Sequence, residues 1–260
     1  MVYLYLTIAF VVAYLIGNIN FARIFSWHFA RKDITKVGSK NPGTMNMLRT
    51  RGFGEAFLTL IFEGIKSGIP ALAGYFLFEN FFTGFGHIAY FLIAFGAIIG
   101  HCYPVFYKFK GGKGVACTFG MFVFHPNCWW VSLVVFVCCF ILFLFVDYPF
   151  LVSLTFMFVM SVFTTCWFTI NTYALATMLV AILVCWLDFF FVVYLHRGNI
   201  KRLINGNENK VHLLDKLCKK KKTESATETQ PTEVAEENVE ETTQPASETE
   251  VSEEAQPTQE

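Results

Sequence analysis

Long apolar stretches alternate with shorter polar ones along this chain. The apolar stretches run over roughly 2–25, 55–78, 86–107, 114–125, 129–146, 150–170 and 172–195. Most approach or exceed about 18 residues, where a helix rising ~1.5 Å per residue begins to cross a hydrocarbon core of ~30 Å. Apolar residues follow one another there without regular polar alternation, which excludes the strands of a membrane barrel. The pattern predicts an all-α integral membrane protein with about seven transmembrane helices in one bundle. The stretch at 114–125 is the short member, about 18 Å as a helix. It suits either a segment buried by its neighbours or one extended into the headgroup zone.

The polar intervals are uneven in charge. RKDITKVGSKNPGTMNMLRTRG at 31–52 carries six basic residues and one acidic. YKFKGGKG at 107–114 is basic as well, and HRGNIKRLINGNENK at 196–210 leads into KLCKKKK. The intervals near 79–87, 126–128 and 171 carry no Lys or Arg. This asymmetry predicts that all three basic stretches are cytoplasmic, with the N-terminus outside and the C-terminus cytoplasmic. An even number of crossings must then join 107–114 to the C-terminal region, which agrees with seven in all. The opening MVYLYLTIAFVVAYLIGNINF has no basic leader and no small-residue cleavage pattern, so it reads as a retained first helix.

Composition fits this picture: 55% of residues are hydrophobic, 18% aromatic, and 31 are Phe. The formal net charge of zero hides a division. All 12 Glu of residues 223–260 lie in a tail with no Lys or Arg, leaving the body at a net charge of +12. So basic a body suits anionic headgroups or phosphorylated substrates. We expect a membrane domain over 1–210, a basic juxtamembrane segment over 211–222, and a disordered Glu/Thr/Pro-rich tail over 223–260. The eight cysteines form no CxxC pair and read as small apolar filler, with no metal site among them.

Three clusters could carry chemistry. In FKGGKGVACTFG, Gly111, Gly112 and Gly114 would let backbone amides approach an anion while Lys113 adds a charge at the start of a helix. The spacing is not that of a nucleotide-binding P-loop, since Gly114 follows the lysine. In VGSKNPGTMN, the Asn41-Pro42-Gly43 turn is flanked by Ser39 and Asn46, and Arg49 would share a helical face with Asn46. His196 and Asn199 stand at i, i+3 after the last apolar stretch, with Glu208 beyond. Within the second stretch, Glu63 and Lys66 are also at i, i+3, where an ionisable pair needs either each other or a site.

The pieces GNINFARI…DITKVGSKNPGTMNMLRTRG, EGIKSGIP, GHCYPVFYKFKGGKGVACTFG and HRGNIKRLINGNENK, taken in order, resemble the motifs of the bacterial acyl-phosphate:glycerol-3-phosphate acyltransferases, the PlsY family. The resemblance covers residues 1–210. It implies a seven-helix bundle that transfers a fatty acyl group from acyl phosphate to the 1-hydroxyl of glycerol 3-phosphate. The products would be lysophosphatidic acid and inorganic phosphate, at the cytoplasmic face of the cell membrane, without acyl-CoA or any cofactor.

Carried over by position, the resemblance implies Lys113, Arg49, His196, Asn199 and Ser39 as catalytic. It implies Asn41, Gly43, Asn46, Lys66, Gly111, Gly112, Gly114, Ser153 and Glu208 as substrate-binding, Ser153 on the loosest match. The proton acceptor stays open between His196 and the departing phosphate, and Ser39 reads as a binding group with no base beside it. Departures from the family pattern are Lys40, Met45, Glu63, Ser67, Cys117 and Asn207; Met45 removes a hydroxyl from the first loop. The partners implied are the two substrates and membrane lipid, with no nucleic acid and no obligate protein. The alternative is a transporter of an organic phosphate, but its site would lie near the bilayer midplane on repeated, broken helices, and no internal repeat is found.

Overall fold

The structure, a computed structural model, describes residues 1–208, 210 and 211. The acidic tail and nearly all of the juxtamembrane segment lie outside the described residues. Ten α-helices are present among those described: α1 Val2–Gly17, α2 Phe21–Ala30, α3 Thr44–Thr50, α4 Phe53–Phe81, α5 Gly86–Cys102, α6 Val115–Val123, α7 Trp129–Phe145, α8 Pro149–Ile170, α9 Leu175–Leu195 and α10 Arg197–Ile204. Single 3₁₀ turns occur at Ile34–Lys36 and Val105–Tyr107.

Each of the seven apolar stretches forms a helix. Among the described residues, five segments are long and apolar enough to cross a membrane: Val2–Ala30, Phe53–Phe81, Gly86–Tyr107, Pro149–Ile170 and Leu175–Leu195. The 17-residue α7 is shorter, and α6 has nine residues. The first stretch is not one uniform helix. Buried Asn18 and Asn20 interrupt it; the Asn20 side chain accepts from the Arg23 amide at 2.9 Å, starting α2 afresh, and donates to the Pro42 carbonyl at 3.1 Å. Such an Asn cap satisfies a first-turn amide that no helical carbonyl reaches.

The centre of the bundle is α5, buried along nearly all of its length. Glycines bring α1 onto it: a Cβ at Gly100 would lie 2.0 Å from the Tyr14 carbonyl oxygen, and one at Gly17 2.2 Å from that of Ala97. Helices in lipid gain most from such close backbone approach, since hydrophobic exclusion cannot drive them together. The same device joins α4 to α6 through Gly64 and Gly120.

The brevity of α6 has a structural cause. After α5 ends, the chain turns outward through Val105–Tyr107 and folds back. The Gly111 amide then donates to the Cys102 carbonyl at 3.2 Å and the Gly112 amide to that of His101 at 3.1 Å. Helix α6 therefore starts beside the last turn of α5, already inside the bundle, and it buries Ala116, Cys117, Thr118, Gly120, Met121 and Phe122 there. Of the two expectations for 114–125, the buried short helix is the one observed.

Candidate active site

The first loop is shaped by one side chain. Buried Asn46 donates to the carbonyls of Ile34 and Val37, both at 3.0 Å, and accepts from the Ser39 amide at 2.8 Å. These bonds fold 34–39 against α3, so that Ser39, Asn41, Gly43 and Arg49 line one large cavity. Asn46 also borders that cavity, but its amide group is turned to the backbone of its own loop.

A second wall comes from the far end of the chain. The Lys113 ammonium donates to the Asn199 side-chain oxygen. Asn199 donates in turn to Glu208 at 2.6 Å, and the other Glu208 oxygen accepts from Arg202 at 2.8 Å. This relay ties the loop before α6 to α10. His196, where α9 meets α10, places Nδ1 2.8 Å from the Val192 carbonyl oxygen. A carbonyl only accepts, so Nδ1 carries the proton and Nε2 keeps a lone pair. Phe150 stacks on the imidazole with ring centres 6.1 Å apart.

The cavity of about 770 Å³ is amphipathic. Its polar end gathers Ser39, Arg49, Lys113, His196, Asn199 and Arg202, and its remaining wall is aromatic and aliphatic, including Phe57, Phe119, Phe136, Phe140 and Phe156. Crowding of cations in a partly dry site acts on their proton affinities. Burial, then Arg202, lowers the pKa of Lys113 to about 8, with Glu208 opposing and Arg49 adding to the drop. Burial also lowers that of Arg49, which Glu208 opposes. His196 falls to about 4, through burial first and then Lys113, so its imidazole is neutral near pH 7. Such a site is built to receive negative charge.

A model of the family described as glycerol-3-phosphate acyltransferase matches residues 7–206. The chain belongs to that family. A glycerol-3-phosphate acyltransferase of Ruthia magnifica is 34% identical over 200 residues, covering 77% of this chain and 93% of the relative. One from Pseudoalteromonas translucida is 35% identical, over 79% and 92%, and one from Mycoplasma pneumoniae 31%, over 82% and 97%. Two solved structures of PlsY, an integral membrane glycerol 3-phosphate acyltransferase, share the fold. Its glycerol 3-phosphate form superposes with a TM-score of 0.66 at 29% identity, covering 82% of this chain and 98% of the other. Its lysophosphatidic acid form does so with a TM-score of 0.63 at 28% identity, covering 80% and 96%.

Within this acyltransferase, the structure gathers Ser39, Asn41, Gly43, Asn46, Arg49, Lys113, Gly114, Ser153, His196, Asn199 and Glu208 around the cavity. Three of the expected residues lie elsewhere. The Gly111 and Gly112 amides are spent on α5 carbonyls, so these glycines serve packing: a Cβ on Gly111 would meet the His101 carbonyl at 2.0 Å, and one on Gly112 the His101 ring at 2.1 Å. Lys66 does not line the cavity; its ammonium contacts Glu63, His101 Nδ1 at 3.0 Å and the Gly17 carbonyl at 3.0 Å, with Ile19 O as a further acceptor. Buried Glu63, His101 and Cys117 place possible ligand atoms within 4.8 Å of one another. The Lys66 ammonium already supplies the cation among them, which does not fit a metal ion.

Arg202 and His101, which no sequence motif singles out, also border the cavity. Arg202 sits three residues after Asn199 in the basic stretch 196–210, and that spacing was the available signal. His101 carries no local motif.

Proposed function

We propose that this acyltransferase takes acyl phosphate as donor and acylates the 1-hydroxyl of glycerol 3-phosphate, releasing lysophosphatidic acid and inorganic phosphate on the cytoplasmic side of the cell membrane. The observation that carries this reading is a single cavity with a cationic end and an apolar wall, matching the two halves of an acyl phosphate. PlsY has been solved in a glycerol 3-phosphate form and a lysophosphatidic acid form, which supports this acceptor and this product.

Acyl phosphate is a mixed anhydride, so its carbonyl is reactive without prior activation. What remains for the protein is alignment and charge stabilisation. Lys113 and the amides opening α6, which have no carbonyl one turn earlier to bond, receive the donor phosphate. Its acyl chain lies against Phe119, Phe136 and Phe156. Arg49 and Arg202 take the phosphate of the acceptor, with Ser39, Asn41 and Gly43 at the rim.

The acceptor hydroxyl oxygen then bonds to the carbonyl carbon. The bond from that carbon to the phosphate oxygen breaks, and its electron pair leaves with the phosphate. His196 Nε2 is free to accept the hydroxyl proton and pass it to the departing phosphate, so that the sum is ester plus hydrogen phosphate. Asn199 holds Lys113, and Glu208 holds Asn199, which sets the distance between the two phosphate subsites.

Purified protein given acyl phosphate, labelled glycerol 3-phosphate and no CoA should transfer label into lipid. Lys113→Ala should reduce that transfer at least about 100-fold, the scale of losing one preorganised charge-stabilising donor. Transfer that requires acyl-CoA, or that is unchanged by Lys113→Ala, would overturn the reading.

A further inference from the structure

Beneath the loop that carries Lys113 lies a further polar cluster, whose Glu63 and His101 border the cavity from the bundle interior while Lys66 does not. Glu63 Oε1 accepts from the Phe21 amide at 2.8 Å, at the start of α2. Its Oε2 lies 2.9 Å from His101 Nδ1 and also contacts the Lys66 ammonium. The three protons of Lys66 match three oxygens, those of Gly17, Ile19 and Glu63. Nδ1 of His101 is thereby left to donate its own proton to Glu63, which fixes the ring in place.

The fixed ring has the glycine loop for a neighbour. The His101 backbone carbonyl accepts from the Gly112 amide at 3.1 Å. The side chain presses on the same residue, since a Cβ at Gly112 would lie 2.1 Å from His101 Nε2 and 2.7 Å from Cε1. Gly112 directly precedes Lys113, whose ammonium reaches Asn199. Five helices thus meet at this cluster: the end of α1, the start of α2, the middle of α4, the last turn of α5, and α6, whose Cys117 thiol donates to Glu63 Oε2 at 3.8 Å.

We propose that Glu63, Lys66 and His101 form a positioning unit that sets how deep the glycine loop lies, and through it where Lys113 stands relative to Asn199 and His196. No member need touch substrate. Lys66 is here a counter-ion to Glu63, holding the carboxylate charged so that it grips the imidazole. Burying two charges carries a large desolvation cost, which is offset only when geometry and further hydrogen bonds are as complete as they are here. This inference rests on the role given to Lys113 above.

The test is Glu63→Gln, which keeps the shape of the side chain and removes its charge. We expect kcat/KM to fall about 100-fold, the order attached to misplacing a reacting group by ~1 Å. The alkaline limb that the lowered pKa of Lys113 is expected to set should also move upward, because a loop that drifts outward rehydrates Lys113. Glu63→Asp, which restores the carboxylate, should recover most of the rate and the native limb. Should Glu63→Gln fail to fold in detergent, Glu63→Gln/Lys66→Met removes both charges together and carries the same readouts.

A profile whose limb stays in place while only its amplitude drops means a purely structural cluster and overturns the proposal, as does native kcat/KM. If instead Lys113→Ala itself leaves activity intact, the reading of the active site is what has failed, and the two failures are told apart.

Discussion

The Lys113 ammonium rests on the side-chain oxygen of Asn199, although 86 residues separate the two in sequence. Asn199 in turn leans on Glu208, and Glu208 on Arg202. Residues in one such relay do not act independently. Lys113→Ala and Asn199→Ala should each slow acyl transfer by about 100-fold. The double variant should fall well short of the product of the two losses, with a coupling energy in the ~0.5–3 kcal/mol range of directly interacting pairs. Fully multiplicative effects in a double-mutant cycle would show that the contact does not operate in catalysis.

The lowered pKa of Lys113 makes a prediction about pH. Its charge is present below about 8 and lost above it, where an ordinary lysine would stay charged beyond pH 10. The kcat/KM profile, which reports the free enzyme, should therefore decline above pH 8, and this decline should vanish in Lys113→Arg if that variant retains activity. His196, with its pKa near 4, is neutral from pH 5 upward and should produce no acid limb between pH 5 and 7. An acid limb in that interval that disappears in His196→Gln would contradict the environment described for this imidazole.

Helix packing offers a contrast between two facing glycines. A Cβ at Gly120 would lie 2.1 Å from the Gly64 carbonyl oxygen, whereas one at Gly64 meets its nearest neighbour at 3.5 Å. Gly120→Ala should lower the thermal unfolding midpoint in detergent, at a cost on the order of 1–3 kcal/mol. Gly64→Ala should leave it nearly unchanged. Equal shifts would show that the α4–α6 contact is looser than described.

Asn46→Leu should release the first loop, since the Ile34 carbonyl and the Ser39 amide lose their Asn46 partner and the Val37 carbonyl keeps only the Lys40 amide. The expected signs are faster limited proteolysis between 37 and 43 and a raised KM for glycerol 3-phosphate. Native protease resistance would count against the loop account.

Much of the architecture could be read from hydrophobic runs, because a lipid-facing helix must be apolar along its length while the loops joining helices need not be. The three basic stretches could be matched to one site for the same reason: they were the places where charge was tolerated. The sequence could not show why Gly111 and Gly112 are glycines. A glycine that admits an anion and one that admits a neighbouring backbone look identical in one dimension. The substrate-binding role for Lys66 comes from the resemblance alone; its spacing shows only the pairing with Glu63, because its carbonyl partners at Gly17 and Ile19 lie 49 and 47 residues away. Nothing in one dimension marks His101, since a lone imidazole at the end of an apolar run has no spacing to announce it.

The aromatic wall of the cavity runs out to residues that remain open at the surface of the bundle, such as Phe53 and Phe57 on α4 and Phe140 on α7. A hydrocarbon tail lodged there stays continuous with the surrounding lipid phase. Turnover should then follow the mole fraction of donor among all amphiphiles present rather than its bulk molarity. Diluting the donor in a fixed amount of water with inert detergent should slow the enzyme as surely as withholding the donor.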